Sequence, residues 1–564
     1  MEQRWIFPEK TDRETLKKLE EELRVPAIVA QILINRHVDN FEKARRFLRP
    51  SLDDLCDPFL MADMDRAVER LVRAIDHGEH IVIHGDYDVD GVSGASFLVH
   101  VLRNLGAHIS FYIPHRLNEG YGLSLWGIRE AHEQGAKLII SVDCGITATE
   151  AIREANRLGM DVIVTDHHQP KAVLPEACAV LDPKRDDCPY PFKELAGAGV
   201  AFKLAQALFE RKGWDQAQFH RHLDLIALGS AADIVPLVNE NRVLVKYGLE
   251  QMTRTENLGL RALLENVGLS GKPLGTGQVV FILAPRINAV GRMGSALKAV
   301  RLLTTDNEGQ ARNIAQVLEA DNRRRKQIDD QTLTEALKMA EETLSEEDRA
   351  IVLAAEGWHQ GVIGIVASRI VEHFYLPTVL ISLSGPTGKG SARSIPGFDL
   401  YGALRACQDT LEAFGGHRYA AGLTIRRERI EDFRRSLQAI AKEKLTDDLR
   451  VPHMRVDGEI SLSQINDRLV RLLRYFAPFG PQNMKPVMVS RGLEVIGTPA
   501  VVGTNHLKFR VRQEGKIFDC IGFGMGDMLY RATPGEANLD LAYVVEENEW
   551  MGRKKIQLRL KDLR

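Results

Sequence analysis

The sequence holds only six cysteines (56, 144, 178, 188, 407 and 520), with no C-x-x-C pair and no short-spaced set. That excludes a disulfide scaffold and a zinc ribbon, and fits reduced thiols in a cytosolic protein. Long apolar runs are missing as well. The longest, GVIGIVA at 361–367, falls far short of the ~18–20 residues of a membrane span. The opening MEQRWIFPEK lacks an apolar core region, so no secretory signal is expected. Net charge is small, -3 over 564 residues, but it is unevenly spread. Residues 455–564 carry 17 Lys and Arg against 13 Asp and Glu, so a modestly basic C-terminal part sits beside an acidic body. This is compatible with a polyanion-binding module. A nucleotide-binding P-loop is also absent: in GPTGKGSARS (385–394) Lys389 is followed by Gly390, not by Ser or Thr, which removes ATP hydrolysis from consideration.

The remaining composition, 44% hydrophobic and 27% charged, belongs to a globular chain long enough for three or four domains. Between 78 and 235, short β-branched runs alternate with helical patterns, the signature of a parallel α/β sheet. The runs are IVIHG (81–85), HISFYIP (108–114), KLIISVD (137–143) and DVIVTD (161–166). From about 306 to 345 the sequence is polar, free of proline and helix-favouring, which predicts a long connecting helix between two lobes. A second α/β unit opens at 350–374, strand then helix. After Pro452, short strands separated by Gly, Asn and Pro turns predict a small β-barrel.

Charge concentrates where the apolar runs end. IVIHGDYDVDG (81–91) places Asp86, Asp88 and Asp90 behind a buried strand. Its D-x-D-x-D-G pattern suggests an EF-hand, but the twelfth position from Asp86 is Phe97 and the flank is a strand, which argues against calcium buffering. The third run ends in Asp143 and the fourth in Asp166, His167 and His168. Carboxyl ends of parallel strands share one edge, so these groups converge there. Carboxylates crowded on one rim repel unless cations lie between them. A set with several carboxylates, few histidines and no thiolate suits Mn²⁺ or Mg²⁺. More than four such groups suggest two ions sharing a carboxylate, the arrangement that hydrolyses phosphodiesters.

HGDYDVDG (84–91), SVDCG (141–145), TDHH (165–168) and SAADIVPL (230–237) resemble the four motifs of the DHH phosphoesterase superfamily. GGHRYAAG (415–422) resembles the GGH motif of the DHH-associated domain. With GWHQGVIGIVASR (357–369) and RINAVGR (286–292), nearly the whole chain is similar to the single-strand-specific 5′ exonucleases of that superfamily. The resemblance implies two α/β lobes, a DHH parallel-sheet domain and a DHH-associated domain, joined by a long helix and followed by a β-barrel of OB type. The implied boundaries are an N-terminal segment 1–50, the DHH domain 51–300, the connecting helix 301–348, the DHH-associated domain 349–452 and the OB domain 453–564. The implied activity is 5′ to 3′ degradation of single-stranded DNA to mononucleotides in repair and recombination, with helicase and single-strand-binding proteins as partners.

In the implied ligand set His84, Asp88 and Asp143 hold one ion, and Asp90, Asp143, His167 and Asp233 the other. Asp86 either supports the ligands from behind or is an occasional ligand, Asp166 orients a neighbouring imidazole, and His168 faces the phosphate as a donor or acid. Asp233 rests on the resemblance alone, since no strand precedes it. Ser391 and Arg393, read as a hydroxyl and a guanidinium in a glycine-rich loop, would with Arg116 form the 5′-phosphate pocket. Arg286, Asn288, Arg292, Gly415, Gly416 and His417 are candidates for other phosphates. HLKFRVR (506–512) reads as a half-buried strand showing Lys508 and Arg510 to a nucleic-acid backbone, with few aromatics nearby. Two alternatives remain open: a DHH enzyme for short oligonucleotides, cyclic dinucleotides or pyrophosphate, and an inactive replication scaffold on the same fold.

Overall fold

A computed structural model describes residues 3–9, 12–116, 119–535, 537–550 and 553–564. The chain forms two compact units: Ile6–Leu318 with Arg455–Arg564, and Met1–Trp5 with Glu319–Met454. Among the described residues, no helix is long and apolar enough to cross a membrane.

At the centre of the first unit lies a parallel five-stranded sheet. Its strands are β1 (Ile81–Gly85), β2 (Ile109–Tyr112), β3 (Leu138–Val142), β4 (Asp161–Thr165) and β5 (Ala179–Leu181), in the order β2-β1-β3-β4-β5. The apolar runs are continuous because both faces are covered. Ile81, Ile83, Leu138, Ile140 and Ile163 pack into one core, whereas Val82, Ile139, Val162 and Val164 pack into another. The short β5, in CAVLDP, lacks the length that marks the other four strands. Helices α4 (Val89–Asn104), α5 (Leu125–Glu133) and α6 (Thr149–Arg157) follow β1, β2 and β3. Gly106, Gly135 and Gly159, all at positive φ, stand just beyond their ends.

The segment before residue 51 is not a loose arm. Its helices α1 (Arg13–Leu23), α2 (Ala27–Ile34) and α3 (Phe41–Leu48) share one apolar core with the C-terminal part, where Leu19, Ile28, Leu33 and Phe47 join Leu469, Phe476, Leu493 and Leu541. Arg242, on α9 (Asn239–Met252), ties this core to the DHH side. Its buried guanidinium donates to the carbonyls of Phe47, Tyr475, Phe476, Ala477 and Pro478.

The C-terminal part is a closed five-stranded barrel. β11 (Met488–Val502), β12 (His506–Gln513), β13 (Lys516–Gly522), β15 (Arg553–Leu563) and β14 (Ala537–Trp550) pair in that order, and β11 closes on β14. This is the OB-type barrel expected from the strand density.

In the second unit a mixed sheet runs β9-β10-β8-β7-β6, from β6 (Ile351–Glu356), β7 (Thr378–Ser384), β8 (Thr387–Arg393), β9 (Ala413–Gly416) and β10 (Ala420–Arg426). The polar stretch predicted as a long helix is α11, Glu308–Thr343. The glycine-rich loop expected around Ser391 and Arg393 is instead strand β8. Its glycines serve packing: a Cβ on Gly388 would lie 2.5 Å from Ile381, and one on Gly390 2.6 Å from Leu423.

Candidate metal centre

Each strand end delivers its ligand-grade residues through a different local device. After β1, Asp88 caps α4, its Oδ1 accepting from the N–H groups of Asp90 and Gly91 at 2.9 and 3.2 Å. Asp90 lies in the first turn of α4 and is buried. Its carboxylate accepts from the N–H groups of Gly197 and Ala198 at 2.6 and 3.0 Å, the first residues of α7 (Gly197–Lys212). That anchor has no signature at the aspartate itself, although the small residues of AGAGV leave room for it. A Cβ on Gly197 would lie 2.5 Å from the Asp143 Cβ, and one on Gly229 2.6 Å from Asp90 Oδ1.

Asp143 follows β3 in a left-handed conformation, φ 62°, which is uncommon for non-glycine residues although aspartate tolerates it better than most. Its backbone carbonyl accepts a bond from the Tyr121 hydroxyl at 2.9 Å. After β4, Asp166 is fully engaged. Oδ2 accepts from Ile146 N–H at 2.9 Å, and Oδ1 from His167 N–H at 2.7 Å and from His168 Nδ1 at 2.7 Å. Asp233 caps the C-terminus of α8 (Leu223–Ala232), so a helix end, not a strand end, brings it to the rim.

These groups meet in three overlapping sets: Asp86 with Asp88 and Asp143; Asp90 with His167 and Asp233; and Asp143 with His167 and His168. Within each, one ligand atom per residue lies within 4.8 Å of the others. Asp143 and His167 each belong to two sets. His167 Nε2 stands 3.1 Å from Asp143 Oδ1, 3.6 Å from Asp233 Oδ2 and 3.9 Å from Asp90 Oδ2.

Asp86 stands beside Asp88 and Asp143 in one of these sets, and His84, at the end of β1, is buried with neither ring nitrogen hydrogen-bonded, the condition of His167 as well. The His84 ring is buried against Tyr112, and its Nε2 lies 2.8 Å from where a Gly127 Cβ would stand.

The electrostatics are those of crowded like charges. Burial, then the neighbouring Asp88, pushes the Asp90 carboxyl up to about 7. Burial, then Asp90 and Asp88, pushes Asp233 up to about 8. Asp143 and Asp86 are driven well above the ordinary range, by burial first and then by neighbouring carboxylates. His167 moves oppositely, down to about 3, through burial and then the adjacent His168. Against burial, the hydrogen bond to Asp166 lifts His168 to about 9.

Both ring nitrogens of His167 and Oδ1 of Asp143 are buried without a hydrogen-bond partner. Orphaned buried acceptors among carboxylates that resist ionisation fit a pair of divalent cations, and the oxygen-rich donor set matches Mn²⁺ or Mg²⁺.

The predicted substrate residues fall into separate groups. In the first unit, Arg116 lies over the Tyr87 ring at 4.9 Å; burial, then Asp86, pushes the Tyr87 phenol up, against the opposing charges of Arg116 and Arg292. Arg286, Asn288 and Arg292 are carried by α10 (Ala284–Met293), which a π-helical turn, Val279–Leu283, precedes. A Cβ on Gly291 would approach the Tyr87 carbonyl to 3.0 Å, so α10 lies beside the aspartate segment. On the barrel, Lys508 and Arg510 are exposed, alternating with buried Leu507, Phe509 and Val511.

In the second unit, Arg393 donates to the Ser391 hydroxyl at 3.2 Å. Ser391, Gly422 and Gly415 stand in one row across β8, β10 and β9. Gly416, at φ 142°, leads into His417, whose N–H donates to Ala420 O. The first turn of α12 (Ile363–Phe374) closes on this row: a Gly364 Cβ would lie 2.8 Å from Ser391 Oγ and 2.9 Å from Arg393 Nη2.

Fold and rim together define a DHH-type phosphoesterase architecture. The DHH family N-terminal domain model matches residues 80–230, the DHHA1 domain model 347–443 and the RecJ OB domain model 456–562. The single-stranded-DNA-specific exonuclease RecJ of Bacillus subtilis (strain 168) is 41% identical over 567 residues, 99% of this chain and 70% of that protein. RecJ of Escherichia coli (strain K12) is 34% identical, covering 96% of this chain and 97% of that one. The crystal structure of RecJ in complex with Mn²⁺ from Thermus thermophilus superposes with a TM-score of 0.86 at 32% identity, over 100% of this chain and 79% of that one. The same protein with Mg²⁺ gives 0.79 at 29% identity, over 100% and 78%. The chain belongs to the RecJ family.

Proposed function

We propose that this chain is a single-strand-specific DNA exonuclease that degrades its substrate from the 5′ end to mononucleotides by two-metal phosphodiester hydrolysis, in DNA repair and recombination. The observation that carries this reading is the sharing of Asp143 and His167 between overlapping ligand sets on one rim. His84, Asp88 and Asp143, with Asp86 beside them, are proposed to hold one cation, and Asp90, Asp143, His167 and Asp233 the other, with Asp143 as the bridge. Bound there, the cations polarise phosphoryl oxygens and acidify water.

The protein's own groups orient the reaction. Asp166 holds His168 through Nδ1, which fixes the imidazole and leaves Nε2 as the pole to meet the substrate phosphate. The α7 N–H groups hold Asp90 so that its carboxylate cannot rotate away. Ser391 and Arg393, beside the first turn of α12 and the bare row through Gly415, are suited to a terminal phosphate by charge-assisted bonds. Gly416 and His417 border that row. Arg286, Asn288 and Arg292 are assigned to backbone phosphates near the rim, Lys508 and Arg510 to those on the barrel, and Arg116 to the 5′-terminal phosphate. The proposed setting is the cytoplasm, with a helicase supplying single strands and a single-strand-binding protein covering them.

Digestion of 5′-labelled and 3′-labelled single strands and of blunt duplex, with Mn²⁺ or Mg²⁺, tests the reading. Mononucleotides released only from the 5′ end of single strands are expected, and Asp143→Ala should abolish release in either metal. Cleavage confined to dinucleotides would transfer the assignment to the small-substrate enzymes of the superfamily.

A further inference from the structure

The outer face of the barrel carries an ordered grid that backbone contact alone does not explain. Along β12 the outward residues are His506, Lys508, Arg510 and Arg512. Strand register sets Lys508, Arg510 and Arg512 each between one residue of β11 and one of β13, with β11 irregular between Ile496 and Ala500. Lys508 lies between Ala500 and Ile521, Arg510 between Ile496 and Asp519, and Arg512 between Glu494 and Ile517. At one end, His506 pairs with Val502, and the Phe523 ring closes on the imidazole with centroids 5.1 Å apart, edge to face. The Gly524 N–H donates to His506 Nδ1 at 3.2 Å, fixing the ring that supports Phe523.

Two features single this end out. Phe523 is 60% exposed and Val502 36%, and neither takes part in the core that the barrel shares with α1–α3. The cations beside them are available as well. Arg512 is held by Glu494 through two bonds, 2.9 and 2.6 Å, whereas Lys508 and Arg510 form no ion pair among the described residues. Successive rows of the grid are two residues apart, about 6.8 Å. An apolar ring platform followed by two unpaired cations complements a polyanion with π-faced substituents, which is the chemistry of a single polynucleotide strand.

We infer that Phe523, supported by His506, is a base-stacking site on the outer barrel face, with Lys508 and Arg510 neutralising the phosphates of the same strand. This rests on the exonuclease reading and adds contact with bases to it. Because every base has a π-face, the stack holds the strand without selecting sequence. Phe523 is not apparent in the sequence as a binding group, since within CIGFGM (520–525) it reads as one more apolar residue until the strands pair.

The test is equilibrium binding of the full chain, without divalent cations, to 3′-labelled thymidine oligonucleotides carrying a short abasic run stepped along the strand. Wild-type binding should weaken about tenfold when the run reaches one window, and little elsewhere. Phe523→Ala should weaken binding to the intact strand by a similar factor and lose the penalty at that window. Phe523→Trp should retain both affinity and window, which separates stacking from loss of structure. A wild type that binds and cuts single strands yet treats every abasic position alike overturns the stacking site and leaves the exonuclease reading standing. Equal weakening by Phe523→Ala on intact and window strands also overturns it. A wild type that neither binds nor cuts single strands removes both.

Discussion

Asp233→Asn takes one charge from the crowded rim without disturbing any anchoring hydrogen bond of Asp90 or Asp166. In the metal-free protein burial, then Asp90 and Asp88, lifts this carboxyl from its ordinary 3.8 to about 8. At ~1.4 kcal/mol per pH unit, forcing it to ionise costs on the order of 5 kcal/mol, and somewhat less because 28% of the side chain meets water. The sign follows from the raised value: stability contributed by the protonated group is complete below 3.8 and is lost as pH climbs through about 8. Asparagine cannot ionise, so the variant escapes that loss. With ~2–4 °C per kcal/mol for a domain of this size, the chelated variant should melt ~5–15 °C above wild type near pH ~8.5, with less than half that gap near pH ~5.5. Added Mn²⁺ should reverse the order, because wild type gains binding energy that the variant lacks. Differential scanning fluorimetry across pH, with chelator and with Mn²⁺, reads both effects. A gap that does not change with pH, or equal stabilisation of both proteins by Mn²⁺, would refute the electrostatic account of the rim.

Three other perturbations probe separate parts of the molecule. Arg242→Met removes a donor from five carbonyls, of which those of Phe476 and Pro478 keep the Asn483 amide, and should destabilise the first unit by ~3–5 kcal/mol in thermal unfolding, with little recovery in Arg242→Lys because an ammonium cannot span them. Gly197→Ala drives a methyl against Asp143, so Mn²⁺ affinity and turnover should fall together, turnover by ~100-fold; a variant with full activity would show that the Asp143 position is not critical. Arg393→Ala should cost ~1.5–3 kcal/mol of binding to 5′-phosphorylated ends and little to 5′-hydroxyl ends, and equal loss on both would move the terminal-phosphate site elsewhere.

Much of the rim could be read from sequence because each of its strands is buried on both faces and so appears as an unbroken apolar run, with charge beginning where burial stops. IVIHG into Asp86, IISV into Asp143 and VIVT into Asp166 all follow that rule. Asp233 escaped it because a helix end positions it, and helix α8 is small and apolar all round, so no periodicity marks which residue will face the cluster. His84 follows the rule from inside its strand: the ring is buried beside Tyr112 with both nitrogens unpartnered, two residues before Asp86. In the second unit, glycines that suggest a phosphate loop proved to be strand residues pressed against Ile381 and Leu423, a distinction that exists only once the sheet is assembled. The short strand β5 and the packing of residues 13–48 on the barrel likewise depend on distant partners.

The central claim is that segments far apart in sequence share a divalent pair through Asp143. Anomalous diffraction at the manganese edge, from crystals of the wild-type chain grown with Mn²⁺, measures this directly. The account predicts two peaks about 3.5–4 Å apart, both touching the Asp143 carboxylate, with Asp88 on one side and His167 and Asp233 on the other. A single peak, or two peaks of which only one contacts Asp143, would contradict it.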